Sequence, residues 1–420
     1  MLRFIYNLLI YLAAPVALLM QVWRGLRDPS YRERLGERFG FGPALPGNTI
    51  WIHAVSVGEV QAAESLVRKL LIRHPQYPLL LTTVTPTGAA RARQLFGDSV
   101  QLRYIPFDLP GSVRRFFDRV RPRLAMILET ELWPNLYAEC GRRDVPLVLA
   151  SARISPRSVG RYRRLVPLFR QALSHGILIA AQSETDAARF RSIGANPART
   201  HVTGNIKFDF QPPPGIEERG ARWREANAPG RPIWVAGSTH EGEEEMILDA
   251  HRAVCRQFPE ALLLLVPRHP QRFDAVRDLL ARRGEVHTNR SSGAAIPRTT
   301  PVMLGDTMGE LMMFYAAADV AFVAGSLVPV GGHNLLEPAS LGRPLLTGPH
   351  NFNSESVARL LLEAGATRIV TGTSQLGAVV SELLGNEALR ISMGKAGRGV
   401  LDSNRGALDR LLRLVDPLLS

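Results

Sequence analysis

Short apolar runs alternate with amphipathic segments along the chain from residue 49 onward. Each apolar run has the length of a buried strand, and the segments between the runs repeat their apolar residues with helical spacing. In the first half, strands are predicted at 50–55, 79–84, 124–128, 147–150 and 177–181, and helices at 62–73, 87–95, 111–120, 135–142 and 184–193. In the second half, strands are predicted at 233–236, 261–266, 301–304, 320–324 and 344–347, and helices from 241, up to 283, from 308 and over 335–341.

This alternation predicts an α/β fold with right-handed strand–helix–strand units and parallel sheets covered on both faces. It breaks at residues 211–215, where three consecutive prolines and a glycine cannot continue a helix or a central strand. A linker there would divide the chain into two doubly wound domains, residues 25–210 and 211–420. Ligands of such sheets bind beyond the carboxyl ends of the strands, so we expect the two domains to face each other across a cleft.

Residues 4–23 carry no charged side chain and are long enough to cross a bilayer as a helix. No small-residue cleavage site clearly follows, so residues 1–24 are predicted to be an uncleaved membrane anchor. The excess of arginine over acidic residues just after this run predicts that the following chain stays on the cytoplasmic side. Two alternatives remain open: Pro15 and the lack of a second span are compatible with a helix that lies in the interface, and the run could also be a buried helix.

The chain carries 51 Lys and Arg against 38 Asp and Glu, a net charge of +13. Such a charge favours an anionic partner, which would be a nucleic acid, an acidic membrane or a phosphorylated substrate. No recognition helix, zinc finger or aromatic RNA-binding motif is present, so nucleic acid is the least supported of the three. Cys140 and Cys255 show neither metal-ligand spacing nor a disulfide framework, which favours a reducing compartment.

Loops with candidate binding residues follow four predicted strands of the second half, and three of these loops contain glycine. Residues 331–338 (GGHNLLEP) form a glycine turn before a helix, whose first amides could bind phosphate, while Asn334 could cap the helix and Glu337 could accept sugar hydroxyls. Residues 237–244 (GSTHEGEE) and 305–311 (GDTMGEL) open helices in the same way, and Arg268 ends a strand. Each loop could instead be a capped helix start. Together they are typical of a nucleotide-sugar site, and none matches the Walker or dinucleotide-binding pattern.

Acidic residues follow two strands of the first half. Glu59 lies in the first turn of a predicted helix, where it could act as a general base or only complement the helix dipole. Glu129 and Glu131 follow the strand that ends at residue 128, and Glu131 could be only a cap or an ion-pair partner. Arg153 follows the next strand, with an ordinary solvated arginine as its alternative.

Lysine is rare in this chain, because only Lys69, Lys207 and Lys395 are lysine and every other basic residue is arginine. Lys207 lies near the predicted linker. Its ammonium group would suit a departing phosphate or a substrate carboxylate. The alternative is a simple salt bridge to Asp209.

Taken in order, these motifs resemble those of the 3-deoxy-D-manno-oct-2-ulosonic acid (Kdo) transferases of Gram-negative bacteria. The resemblance covers essentially the whole chain. The motifs that carry it, after the N-terminal anchor, are HAVSVGE (53–59), ETELWPN (129–135), GNIKFD (204–209), STHEGEE (238–244), PRHP (267–270), GDTMGEL (305–311) and GGHNLLEP (331–338).

The resemblance implies a GT-B fold, with two Rossmann-like domains that bind the acceptor (N-terminal) and the donor (C-terminal). It implies transfer of Kdo from CMP-Kdo to the lipid A precursor lipid IVA, at the cytoplasmic face of the inner membrane and without a cofactor or catalytic metal. It places the general base at Glu59 and the residues that stabilise the transition state at Glu129 and Lys207. The CMP-binding residues that it implies are Pro267, Arg268, Met308, Gly309, Glu310, Asn334, Leu335, Leu336 and Glu337.

The residues fit an inverting displacement, in which Glu59 takes the acceptor's proton and Lys207, glycine-turn amides and Arg268 stabilise the departing phosphate. Arginines near the anchor, together with Arg161, Arg163 and Arg164, could hold lipid phosphates.

Two rival hypotheses remain. A related enzyme that uses UDP-sugars, such as an epimerase, would prefer UDP to CMP, whereas a non-catalytic binder would tolerate the loss of Glu59. The sequence does not predict how many Kdo residues are added.

Overall fold

A computed structural model describes residues 2–131, 133–154, 159–160 and 176–420. The chain divides into two compact units. The first unit consists of Met1–Asp209 together with Asn404–Ser420, and the second consists of Phe210–Ser403. Arg161, Arg163 and Arg164 lie outside the described residues, as does Leu132 of the ETELWPN motif.

The described part of the first unit is built on a parallel sheet. Its strands are β1 (Thr49–His53), β2 (Leu79–Thr83), β3 (Gln101–Tyr104), β4 (Pro122–Leu128), β5 (Leu147–Ala152), β6 (Leu178–Ala181) and β7 (Thr200–Val202). The order across the sheet is β3-β2-β1-β4-β5-β6-β7, and every pairing is parallel. The order reverses between β1 and β4, which is where ligands of doubly wound sheets bind.

Helices connect these strands and cover both faces of the sheet. Those of the first unit are Leu2–Arg27, Leu35–Arg38, Val57–Ala62, Glu64–Arg73, Pro86–Phe96, Pro110–Val120, Pro134–Arg142, Glu184–Ser192 and Ala407–Leu419. Successive residues of β1 point to opposite faces, so Trp51 packs in one hydrophobic core and Ile50 and Ile52 in the other. The helix predicted at 62–73 begins at Glu64, and a separate short helix, Val57–Ala62, precedes it.

The last helix, Ala407–Leu419, belongs to the first unit, so the expected second domain of 211–420 is wrong at its C-terminal end. Leu408, Leu411 and Val415 of this helix are buried in the core that contains Ile50 and Ile52. These apolar residues repeat with helical spacing and cover one face of the sheet. The prediction had included this helix in the second domain only because it follows that domain in the sequence.

The second unit repeats the same architecture with a different strand order. Its strands are β8 (Ile233–Thr239), β9 (Leu262–Pro267), β10 (His287–Asn289), β11 (Val302–Leu304), β12 (Val320–Val323), β13 (Leu345–Thr347) and β14 (Thr367–Ile369). They pair in parallel in the order β10-β11-β9-β8-β12-β13-β14. Its helices are Ile216–Asn227, Glu243–Gln257, Phe273–Arg282, Leu311–Ala317, Leu336–Ser340, Glu355–Glu363, Thr373–Gly385 and Glu387–Asn404.

The predicted strands are all present, and the structure adds β3, β7, β10 and β14. These four strands are short and carry several polar residues, so they lack the continuous apolar run that identified the others. The prediction of an α/β fold with two doubly wound parallel sheets is therefore confirmed. The helix predicted at 335–341 is shorter, Leu336–Ser340, and follows the glycine turn directly.

The N-terminal helix spans Leu2–Arg27, and its segment Arg3–Leu26 has a mean hydropathy of 1.8. Within the described residues it is the one helix that is long and apolar enough to cross a membrane. Length and composition alone give only weak support for a membrane anchor, because signal sequences and core helices share these properties.

Candidate functional site

Glu59 of the first unit is held at the start of a helix by a reciprocal pair of contacts. Ser56 caps the helix Val57–Ala62, and its hydroxyl oxygen accepts a hydrogen bond from the Glu59 backbone N–H at 3.4 Å. In return, Oε2 of Glu59 accepts a hydrogen bond from the Val55 backbone N–H at 2.8 Å. This arrangement is a variant of the capping box and fixes the carboxylate just beyond β1.

The environment of Glu59 weakens its acidity. Burial raises the pKa of Glu59 to about 7, and the negative charge of Glu129 adds to this rise. The Val55 amide and the charge of Lys207 oppose the rise only in part. A carboxylate with a pKa near neutrality can accept a proton and hold it, which is what general-base catalysis requires.

Lys207 makes an ion pair with Glu129. Its Nζ lies 2.7 Å from Oε1 of Glu129, and about a fifth of each side chain remains exposed (21% and 23%). The alternative partner named from the sequence, Asp209, is occupied elsewhere, because its carboxylate accepts hydrogen bonds from the backbone N–H groups of Gly406 and Leu408, both at 2.7 Å.

The two partners of this ion pair have distinctive backbone environments. Glu129, in the turn after β4, has φ +56°, the left-handed region that side chains rarely adopt. Asn205 accepts a hydrogen bond from the Lys207 backbone N–H at 3.0 Å and donates one to Gln182 at 3.2 Å. Neither Asn205 nor Gln182 was singled out from the sequence.

Two other polar residues singled out in the first unit lie in the same loops. Burial raises the pKa of Glu131, and the charge of Glu129 raises it further. Arg153 lies just beyond β5, where its backbone oxygen accepts a hydrogen bond from the Thr130 hydroxyl. Glu59, Glu129, Glu131 and Lys207 therefore act on one another electrostatically at the carboxyl ends of β1 and β4.

A histidine cluster with an arginine forms a second site, in the second unit. The Nε2 atoms of His240 and His333 lie 2.8 Å apart with their rings stacked, and the ring of His269 lies 5.4 Å from that of His240. Burial, followed by the charge of Arg268, lowers the pKa of His333 to about 3. Burial lowers the pKa of His240 to about 4, and the nearby His269, Arg272 and Arg268 lower it further.

Arg268 is half-buried among these neutral rings. Among the described residues its guanidinium group makes no hydrogen bond or ion pair, whereas Arg272 nearby pairs with Glu244 at 2.5 Å. An unpaired cation beside uncharged imidazoles is suited to hold an anion. The predicted donor contact Pro267 is buried at the end of β9, next to Arg268.

Within the STHEGEE motif, Glu243 has a structural role that was not predicted from the sequence. This fully buried carboxylate accepts hydrogen bonds from the backbone N–H groups of Gly325, Ser326 and Leu327, at 2.7, 2.9 and 2.9 Å, and from that of His240, at 3.0 Å. The His240 amide of this loop is therefore already bonded within the unit, which agrees with the alternative of a capped helix start. Glu243 instead holds the loop that follows β12.

The glycine turn before Asn334 packs tightly against the next loop. Gly331 and Gly332 have φ +110° and +73°, and a Cβ at either position would lie 2.4–2.5 Å from Asn353 or Asn351. The glycines are thus required by packing within the unit. Asn334 accepts a hydrogen bond from the Leu336 backbone N–H at 3.1 Å, but it lies one residue before the N-cap, which is Leu335.

The remaining predicted donor contacts differ in how accessible they are. Asn334 also donates to Oε1 of Glu337 at 3.2 Å. The side chains of Leu335 and Leu336 are buried. Glu337 and Arg268 both act electrostatically on the buried Tyr315, which brings the GGHNLLEP and PRHP motifs together. Tyr315 was not singled out from the sequence.

The GDTMGEL loop supplies the last predicted contacts. Met308 is 54% exposed, and Gly309 has φ +83° with open space around it. Glu310 is paired with Arg290, at 2.8 Å, and accepts a hydrogen bond from Thr307. In the described ranges no three His, Cys, Asp or Glu residues are grouped so that they could hold a metal ion.

Comparison with known proteins identifies the family. A sequence profile described as "3-Deoxy-D-manno-octulosonic-acid transferase (kdotransferase)" matches residues 33–210. The 3-deoxy-D-manno-octulosonic acid transferase of Haemophilus influenzae is 43% identical over 99% of both chains. The chain belongs to the Kdo transferase family. The Bordetella pertussis Kdo transferase, 38% identical over 99% of both chains, supports the same assignment.

The solved structures confirm the fold of this Kdo transferase. MurG of Acinetobacter baumannii superposes with a TM-score of 0.54 at 14% sequence identity, covering 89% of this chain and all of MurG. That likeness concerns the fold alone. The two parallel sheets and the apolar N-terminal helix agree with the GT-B class expected from the sequence, and the chain is a glycosyltransferase.

Proposed function

We propose that this Kdo transferase moves Kdo from CMP-Kdo to lipid IVA, with inversion at the anomeric carbon and without a catalytic metal. The observation that carries the proposal is Glu59, a carboxylate with a pKa of about 7 beside the Glu129–Lys207 ion pair. The family supports Kdo as the group transferred. The lipid acceptor, the stereochemistry and the metal independence are extensions that need direct tests.

In the proposed reaction, Glu59 accepts the proton of an acceptor hydroxyl as its oxygen attacks the anomeric carbon of Kdo. The new carbon–oxygen bond forms while the bond to the CMP phosphate breaks, and its electron pair leaves with CMP. A single displacement of this kind inverts the anomeric centre. The proton on Glu59 is then lost to solvent, which a pKa near 7 makes easy.

Glu129 has a more specific role in this proposal than the sequence could give it. A carboxylate cannot stabilise a departing phosphate directly, because both are negative. Its 2.7 Å contact with Lys207 instead supports a positioning role, in which Glu129 orients the ammonium group that neutralises developing negative charge. Its charge also keeps Glu59 basic.

The donor is proposed to bind on the second unit, at Arg268 and the glycine-turn loops. Arg268 would bind the CMP phosphate or the Kdo carboxylate, because its guanidinium group has no carboxylate partner among the described residues. Main-chain groups at Leu335 and Leu336 would complete the nucleotide contacts. Glu337 would accept hydroxyls of the ribose.

The proposal predicts a pH dependence set by Glu59. Because the base must be deprotonated, kcat/KM should rise with pH and level off above a midpoint of about 7.

Glu129→Gln removes a negative charge and releases the positive charge of Lys207, and both changes lower the pKa of Glu59. The midpoint should therefore move to lower pH, whatever happens to the maximal rate. Glu184→Gln, a change at an exposed site of the same unit, should leave the midpoint in place, and an unmoved midpoint in Glu129→Gln would contradict the scheme.

Arg268→Ala should weaken CMP binding by about 1.5–3 kcal/mol, roughly 10- to 150-fold, because a charge-assisted hydrogen bond is lost. Titration calorimetry with CMP measures this effect. Cytidine lacks the phosphate and should bind both proteins equally. Arg256→Ala changes an exposed arginine of the same unit and should bind CMP normally. Equal losses for CMP and cytidine would place Arg268 against the base instead.

The decisive experiment is a transfer assay with CMP-Kdo generated in situ and purified lipid IVA, analysed by mass spectrometry with and without chelator. Mass increments of Kdo that persist with chelator support donor, acceptor and metal independence, and their number tells how many residues are added. A folded, CMP-binding protein that adds no Kdo would refute the acceptor or the donor. UDP-sugars would then be screened, since GT-B enzymes that use them share this fold.

The location of the reaction is also part of the proposal. A lipid acceptor stays in the bilayer, so the enzyme is proposed to work at the cytoplasmic face of the inner membrane, attached by its N-terminal helix. The net charge of +13 supports attraction to anionic headgroups. Arg38 does not take part, because it is buried and donates to the Val84 backbone oxygen at 2.7 Å.

A further inference from the structure

The N-terminal helix Leu2–Arg27 has two faces of opposite character. On one face, large apolar side chains stand in solvent: Phe4, Ile5, Leu8, Leu9, Leu12, Val16, Leu19, Met20, Trp23 and Leu26. The opposite face, which includes Tyr6, Asn7 and Gln21, is partly covered. A surface helix of a soluble protein buries its apolar face, whereas this helix presents that face outward.

Polar residues in the first two turns fix the helix to the first unit. The Tyr6 hydroxyl donates to Oδ2 of Asp108 at 2.8 Å. Arg3 donates to the side-chain oxygen of Asn135 at 3.3 Å, and the Asn135 amide donates to Asn7 at 2.8 Å. The start of the helix is therefore bonded to the body of the unit.

The other end of the helix leads back into the same unit. Arg34 and Arg38, soon after the helix, donate to the backbone oxygens of Leu102 and Val84. The 26-residue helix is about 39 Å long, longer than the hydrocarbon core of about 30 Å. A spanning helix would separate its two ends by the whole membrane. One folded unit holds both ends, so the helix cannot span a bilayer while these contacts persist.

We propose that the N-terminal helix lies in the plane of an anionic phospholipid membrane, with its exposed face in the acyl-chain boundary and its first turns bonded to the first unit. This resolves whether the anchor spans or lies in the interface. It rests on the proposed function in one respect only. A lipid acceptor would require the enzyme to work at a membrane surface.

The shape and charge of the face favour lipid over a second copy of the chain. A two-stranded coiled coil buries a narrow seam of two positions in seven. Here the exposed residues include adjacent pairs such as Leu8–Leu9 and Leu19–Met20, which make a broad face typical of interfacial helices. Arg24 and Arg32 are exposed at the end of the helix, where they can meet anionic headgroups.

The docking contacts also connect the membrane to the candidate catalytic loop. Asp108 accepts hydrogen bonds from the backbone N–H groups of Asn135 and Leu136, at 3.0 and 2.8 Å, as well as from Tyr6. These residues begin the helix Pro134–Arg142, directly after the loop that carries Glu129. A helix at fixed depth would therefore hold that loop at a fixed distance from the lipid surface.

Spin-label depth measurements on the full chain test the proposal. Single cysteines would replace Ile5, Leu9, Leu12, Val16, Leu19 and Trp23 in a Cys255→Ser background, since Cys140 is buried. The labelled protein would be bound to vesicles of phosphatidylglycerol and phosphatidylethanolamine. Power saturation with oxygen and a water-soluble nickel complex then gives the depth of each label.

A helix in the interface predicts one shallow depth for all six labels, about 5–10 Å into the headgroup and acyl boundary. Labels at 12 and 16 near the bilayer centre, with labels 5 and 23 at opposite surfaces, would overturn the proposal in favour of a span. Labels that remain in water, or whose spectra broaden through close approach as in a dimer, would overturn it too.

A label at Ile72, which is 78% exposed on the same unit, should stay in water, and its insertion would refute the helix as the membrane-binding face. No substrate is needed, so this test can fail independently of the transfer assay.

Discussion

Glu59→Gln is expected to lower the rate of Kdo transfer by about 10²–10⁴-fold, the range typical of a lost general base. Glutamine keeps an oxygen that can accept the Val55 hydrogen bond, so the start of the helix should be preserved. It cannot accept the acceptor's proton. Single-turnover transfer at saturating CMP-Kdo isolates this step from substrate binding.

Glu64→Gln is the matched control, because Glu64 begins the next helix and pairs with Arg68 at the surface. Its transfer rate should equal that of the parent protein. CMP affinity should be unchanged in both variants, since the proposed donor residues belong to the other unit. Transfer by Glu59→Gln within a few-fold of the parent rate would rule out Glu59 as the base.

Glu243→Ala is expected to lower the free energy of unfolding of the second unit by about 3 kcal/mol or more. The substitution leaves four backbone N–H groups without an acceptor, three of them in the loop Gly325–Leu327, and each buried unsatisfied group costs about 1–3 kcal/mol. Urea denaturation followed by tryptophan fluorescence measures the change, because Trp223 and Trp234 report on this unit.

Glu245→Ala provides the comparison, because Glu245 is exposed on the same helix. Its effect should stay within about 0.5 kcal/mol. Glu243→Ala should also weaken CMP binding, since the loop that it releases leads to the glycine turn and Asn334. A stable Glu243→Ala protein with normal CMP affinity would show that solvent or another side chain replaces the carboxylate.

Much of the fold could be predicted because local sequence patterns specify most of its strands and helices. Apolar runs such as 124–128 and 320–324 identify strands buried on both faces, and the prolines at 212–214 mark the change of unit. The strand β10 was missed because His287, Thr288 and Asn289 are polar and resemble a loop. The last helix was assigned to the wrong unit because its apolar spacing identifies a helix but does not say which sheet it covers.

The candidate site was predictable in its residues but not in their partners. The motif spacing pointed to Glu59, Glu129 and Lys207, but the ion pair joins residues 78 positions apart. They follow β4 and β7, which are separated in the sheet by β5 and β6. The STHEGEE motif suggested phosphate binding, whereas Glu243 binds the amides of a loop that lies more than eighty residues later. Such contacts depend on how the strands and loops are arranged in the fold, and a local sequence pattern does not specify that arrangement.

The placement of the helix Ala407–Leu419 in the first unit has a consequence for synthesis on the ribosome. Domains usually complete folding in the order in which they are translated. Here the first unit lacks one cover of its apolar sheet until the helix Ala407–Leu419 emerges, by which point Phe210–Ser403 has already been synthesised. The second unit should therefore finish folding first, while one apolar face of the first unit stays exposed until that helix is available.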